Sequence, residues 1–70
     1  MKRQMFTVAP ARSGWQLYED TEGRDWFGDV RQALAAATAL AAHRNSRTGV
    51  PTGVILDVCS GERLLMGLYG

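Results

Sequence analysis

Asp29-Val30-Arg31-Gln32-Ala33-Leu34-Ala35-Ala36-Ala37-Thr38-Ala39-Leu40-Ala41-Ala42-His43-Arg44 decides the fold. The run from Val30 to Arg44 has no Gly or Pro, and Thr38 is its only β-branched residue past the first turn. Alanine is the best helix former, so the segment predicts one helix of roughly 22 Å. Asp29 is a favoured N-cap, and Gln32 three positions later completes a capping-box pattern. Val30, Ala33, Leu34, Ala37, Leu40 and Ala41 recur at three and four spacing, which gives the helix one apolar face. His43, Arg44 and Arg47 fall at or past its C-terminal end, where cations suit the dipole.

On the N-terminal side, Met5 to Ala9 reads as a strand closed by Pro10, and Trp15 to Glu19 as a second strand after the turn Ala11-Arg12-Ser13-Gly14. Period two turns Phe6, Val8, Trp15 and Leu17 inward and Thr7, Gln16 and Tyr18 outward. Asp20 to Gly23 is a further turn. Arg24 to Phe27 has room for a short third strand carrying Trp26 or Phe27 inward, ended by Gly28. On the C-terminal side, Asn45 to Thr52 is a loop, and Gly53–Val58 with Glu62–Tyr69 form a hairpin. A three-residue loop, Cys59-Ser60-Gly61, with Gly61 left-handed sets the register. Asp57 then opposes Arg63 as an ion pair, Leu56 opposes Leu64, Ile55 opposes Leu65, and Val54 opposes Met66. The expected architecture is a single α+β domain over residues 1–70. It has two layers: one helix packed on an antiparallel β-sheet of four or five short strands.

A chain of 70 residues buries only about 60% of the surface its unfolded form exposes, so its stability is marginal without reinforcement. Cys59 is the only cysteine and His43 the only histidine, which removes an intrachain disulfide and leaves no structural zinc set. Association with another chain is the remaining reinforcement. The net charge of +1 is far from that of a dedicated nucleic-acid binder. Seven of the eight basic residues are Arg, with Lys2 the exception, a bias that suits the composition of an alanine-rich source. No stretch is apolar enough to span a bilayer, and no signal-peptide pattern follows Lys2 and Arg3. A reducing cytoplasm is the expected compartment.

Few residues point to chemistry. His43 at a helix end has no evident nucleophile or orienting carboxylate. Cys59 has no cationic neighbour to make it a thiolate. The glycines match no phosphate-cradling spacing, and Glu19, Asp20, Glu22, Asp25 and Asp29 lack the calcium-loop pattern. No catalytic residue, cofactor site or metal site is assigned, and the reading is of a non-enzymatic protein. As a surface, Glu19, Asp20, Glu22 and Asp25 with Trp26 form a candidate partner-binding edge. In one version, a small inhibitor or adaptor of phage or mobile-element type uses that edge to block a host complex. Ile55, Leu65 and Tyr69 form a second candidate, on the hairpin face opposite Leu56, Leu64 and Met66. A sheet with one helix keeps its other face polar, so this apolar surplus implies self-association, most simply a homodimer. Ala35, Ala36, Ala39 and Ala42 lie on the helix side away from the core. The alternative class is a nucleic-acid module using Arg12, Arg31, Arg44 and Arg47 with Trp26.

Val8, Pro10, Gly14 and Trp15, the run Ala33 to Ala42, and Gly61 together resemble a family of small bacterial hairpin–helix–hairpin domains of unknown function. The resemblance covers most of the chain. It departs at the helix start, where Gly28-Asp29-Val30-Arg31-Gln32-Ala33 replaces the family's Thr-Lys-x-x-Ala. It implies the same α+β fold and no chemistry.

Overall fold

The computed structural model describes residues 2–58 and 61–70. Five strands and one helix follow in the order β1 (Gln4–Ala11), β2 (Gly14–Glu19), β3 (Glu22–Phe27), α1 (Val30–Thr48), β4 (Thr52–Asp57) and β5 (Arg63–Tyr69). They form a single five-stranded sheet, in the order β3-β2-β1-β4-β5, with α1 on one face. The fold is α+β, as the sequence predicts, but the sheet is mixed rather than antiparallel. β1 and β4, its two central neighbours, run parallel. Three strands in a meander leave the chain at the far end of the sheet. The helix carries it back, so β4 starts beside the start of β1 and runs with it.

Asp29 caps the helix, its Oδ1 accepting the Arg31 N–H at 3.0 Å. The helix runs one turn past Arg44, so His43, Arg44 and Arg47 lie within it. It stops at Gly49, whose φ of 75° lets its N–H reach the Asn45 carbonyl. That left-handed end is a conformation glycine adopts without steric cost. Ala33, Ala37 and Ala41 are fully buried, with Val30, Leu34 and Leu40 packed beside them. Ala36 also packs against the core, leaving Ala35 and Ala39 as the exposed alanines of the far side. The methyl-sized side chains bring α1 close enough that the buried Thr52 Oγ1 donates to the Ala41 carbonyl at 2.7 Å.

On the sheet, Phe6, Val8, Leu17 and Val54 are fully buried against these alanines, with Trp15, Phe27, Leu56 and Tyr69 half-buried around them. Phe27 is thus the β3 aromatic that turns inward. The β1–β2 connection is a two-residue turn with Arg12 and Ser13 both at positive φ, 50° and 64°, a geometry that matches strand twist but usually recruits Gly or Asn. Trp26 steadies it from the opposite face, its indole N–H donating to the Ala11 carbonyl at 2.8 Å.

Candidate interaction surface

Residues directly opposite in a ladder share a face, so register assigns every side chain to the helix side or the outer side. For the last hairpin, Asp57 opposes Arg63, Leu56 opposes Leu64 and Ile55 opposes Leu65, as expected. Gly61 has the predicted positive φ of 84° and Val58 N–H bonds the Glu62 carbonyl. Cys59 and Ser60 of that loop lie outside the described residues.

The register then slips. Val54 opposes Gly67 rather than Met66, because β5 carries one extra residue there. A bulge of this kind inverts the alternation beyond it. Tyr69, expected outside with Ile55 and Leu65, therefore turns to the helix side and packs on the core. Leu68 takes the outer position, opposite Gly53. A side chain at Gly53 would collide with Met5 and crowd Leu68, so these two residues close over the glycine. The outer patch is accordingly Ile55, Leu65, Leu68 and Met5, spread over β5, β4 and β1. Leu65 and Leu68 are 59% and 55% exposed. Beside them a shallow depression has Met5, Thr7 and Ile55 in its lining together with the charged Lys2, Arg3, Asp20 and Arg63. Asp57 and Arg63 are ladder partners, yet the ion pairs among the described residues are Arg24–Glu19 and Arg44–Glu19.

The acidic segment resolves into separate jobs. Glu19 opposes Phe6 and so faces the helix. Its Oε2 accepts from Arg44 Nη1 at 2.9 Å and from Gln4 Nε2 at 3.0 Å. Its Oε1 accepts from Arg24 Nη1 at 2.8 Å and from Arg44 Nη2 at 3.3 Å. The Arg44 hydrogen bonds, reinforced by the charges of Arg44 and Arg24, outweigh burial and hold the Glu19 carboxyl below its usual range. The same hydrogen bonds raise Arg44. The Arg44 guanidinium also lies 5.7 Å from the Phe6 ring centre, within cation–π range. Asp20, at a positive φ of 54°, is tied to β1 by the Met5 N–H and carbonyl. Asp29 is the helix cap. Glu22 and Asp25 are the two carboxylates of the cluster that remain exposed on β3.

Trp26 is 43% exposed on the outer side, its ring filling the space that a side chain at Gly14 would need and its indole N–H engaged. It is a clamp on the first hairpin as well as an exposed ring. The arginines of the nucleic-acid alternative are dispersed. Arg12 borders Trp26, Arg31 begins the helix, and Arg44 is bound to Glu19, leaving Arg47 beside Arg24 and His43 along a groove at the helix end. Among the described residues no three His, Cys, Asp or Glu side chains gather as a metal set, and no helix is long and apolar enough to cross a membrane.

Comparison with protein-family models, curated proteins and solved structures gives no match.

Two features of the site escaped sequence reasoning. The bulge had a signal in Gly67, since an isolated glycine in a strand pattern marks such irregularities. The Glu19–Arg44 fork joins residues 25 apart in sequence, and no local pattern announces it.

Proposed function

We propose that the chain is a non-enzymatic protein-binding domain whose docking surface is the outer face of the sheet. The observation that carries this reading is the cluster of Leu65, Leu68, Ile55 and Met5 on the face the helix does not cover. An antiparallel or mixed sheet with helices on one side keeps its other side polar when that side stays in water. Here two leucines stand more than half exposed beside Ile55 and Met5, the pattern of an interaction site. An inhibitor or adaptor acting on a host complex is a finer version of the reading. If it uses the acidic edge instead, it has Glu22 and Asp25, which lie on the helix side of β3 opposite Glu19 and Leu17, because Glu19, Asp20 and Asp29 already serve the fold.

The test compares the wild type with Leu65→Lys and with Arg31→Glu, a charge reversal at an exposed helix position remote from the patch. Each is expressed in the source cell with a second, differently tagged copy, and copurifying chains are identified. Loss of a specific partner with Leu65→Lys but not with Arg31→Glu supports the surface. If every association survives Leu65→Lys, the proposal is wrong.

A further inference from the structure

We infer that the outer face is covered by the same face of a second copy of this chain. The product is a four-layer dimer ordered helix, sheet, sheet, helix. The inference rests on the protein-binding reading above and names the partner.

Two routes to a dimer exist for a domain of this shape: strand pairing at a sheet edge, or packing of sheet on sheet. The edges are poor templates. β5 is interrupted at Met66 by its bulge, leaving three-residue runs on either side. β3, at the other edge, is interrupted at Arg24 and carries Glu22, Arg24 and Asp25. Bulges and edge charges are the devices by which sheets avoid edge pairing. The same β5 bulge that spoils the edge swings Leu68 to the outer face beside Leu65, so it disfavours one route and builds the other.

The area is sufficient. Five strands ~4.8 Å apart and six residues at ~3.3 Å each give a footprint of about 24 by 20 Å, or ~480 Å² per copy. Two copies hide on the order of 1,000 Å² before side-chain relief is counted, the threshold for a specific interface. The same footprint is about a tenth of the 4401 Å² surface, the usual share for a small protein.

The face is also complementary to itself. Leu65 and Leu68 project from β5, and the depression lined by Met5, Thr7 and Ile55 lies next to them. A two-fold axis places each copy's leucines against the other's depression, as an isologous contact requires. Lys2, Arg3 and Arg63 border the same depression with Asp20 as its one carboxylate, so the apolar side chains rather than charge carry the self-fit.

The test is sedimentation velocity from micromolar to near-millimolar protein, joined to isotope-filtered NMR on a mixture of labelled and unlabelled chains. The expected result is a reversible dimer with intermolecular contacts from Leu65 and Leu68 methyls to Ile55 and Met5. Leu68→Glu should raise the dimer dissociation constant at least tenfold. The NMR measurement on the wild type stands whether or not that variant folds. A dimer whose intermolecular contacts run along β5 backbone amides or the helix overturns the inference. A strict monomer overturns it too. If Leu65→Lys still removes a different protein from the copurified set, the protein-binding reading survives alone; if it removes none, both fall.

Discussion

Replacing Glu19 with Gln is the sharpest probe of how the helix is fastened to the sheet. The substitution keeps the shape and one carbonyl acceptor but removes the charge. It also points an NH₂ at guanidinium donors in place of an oxygen. Glu19 accepts four hydrogen bonds, two from Arg44 and one each from Arg24 and Gln4. Bonds to buried charges are worth ~1.5–3 kcal/mol each, whereas exposed ion pairs give ~0.2–1 kcal/mol. The Glu19 and Arg44 side chains are 23% and 30% exposed, which places their fork between these limits at about 1 kcal/mol. Arg24 is more exposed and adds a few tenths. The loss for Glu19→Gln is then about 1.5 kcal/mol, a fall in Tm of roughly 6–12 °C for a domain of this size.

The pH dependence follows from the lowered carboxyl. Its folded-state value lies below the unfolded one, so the contribution is complete above the unfolded range near pH ~4.3 and is lost as pH falls through the folded value. The stability gap between wild type and Glu19→Gln should therefore be constant from pH 8 to about pH 5 and close progressively in more acid solution. Thermal melts followed by circular dichroism across that range provide the assay, with Glu22→Gln as an exposed control expected within ~0.5 kcal/mol of wild type. A Glu19→Gln melt indistinguishable from wild type at neutral pH would refute the fork as a fastener. A gap that persists undiminished in acid would show that charge is not its basis.

Three further outcomes are expected. Gly14→Ala places a methyl inside the Trp26 ring and against the Phe27 carbonyl; it should cost ~1–3 kcal/mol and shift Trp fluorescence to the red as the indole is displaced, and unchanged emission would contradict the clamp. Thr52→Val keeps the volume but removes the 2.7 Å bond to the Ala41 carbonyl; a loss of about 1 kcal/mol in urea denaturation is expected, with no loss excluding that bond from the stability of the helix–sheet contact. Ala37→Leu inserts a branched side chain between α1 and the sheet at a fully buried position; a destabilisation of at least ~1–3 kcal/mol is expected, and a neutral result would mean that the helix does not sit as close as described.

The sequence determined the elements. Helix, N-cap and strands are local: alanine propensity, Asp29 at the helix start, and period-two alternation in Met5–Ala9 and Trp15–Glu19 all act within a few residues, whereas the helix end at Gly49 lies a turn beyond the Arg44 that the sequence suggested. The core set Phe6, Val8, Leu17, Ala33, Ala37 and Ala41 followed from those periods, because each period turns one face inward whatever it packs on. The first three ladder pairs of the last hairpin were likewise legible, since loop length and a left-handed Gly61 fix register by counting. Tertiary structure decided what counting cannot reach. The direction of β4 beside β1 depends on where the helix returns the chain, which made the sheet mixed. The bulge at Met66 reversed the facing of Leu68 and Tyr69, and with them the composition of the outer patch. Glu19 faced Arg44 rather than solvent only because the strand and the end of the helix were brought together. Local preferences act through the nearest bonds of the chain, whereas the surface a protein offers to partners depends on register and long-range contact, where one extra residue exchanges inside for outside.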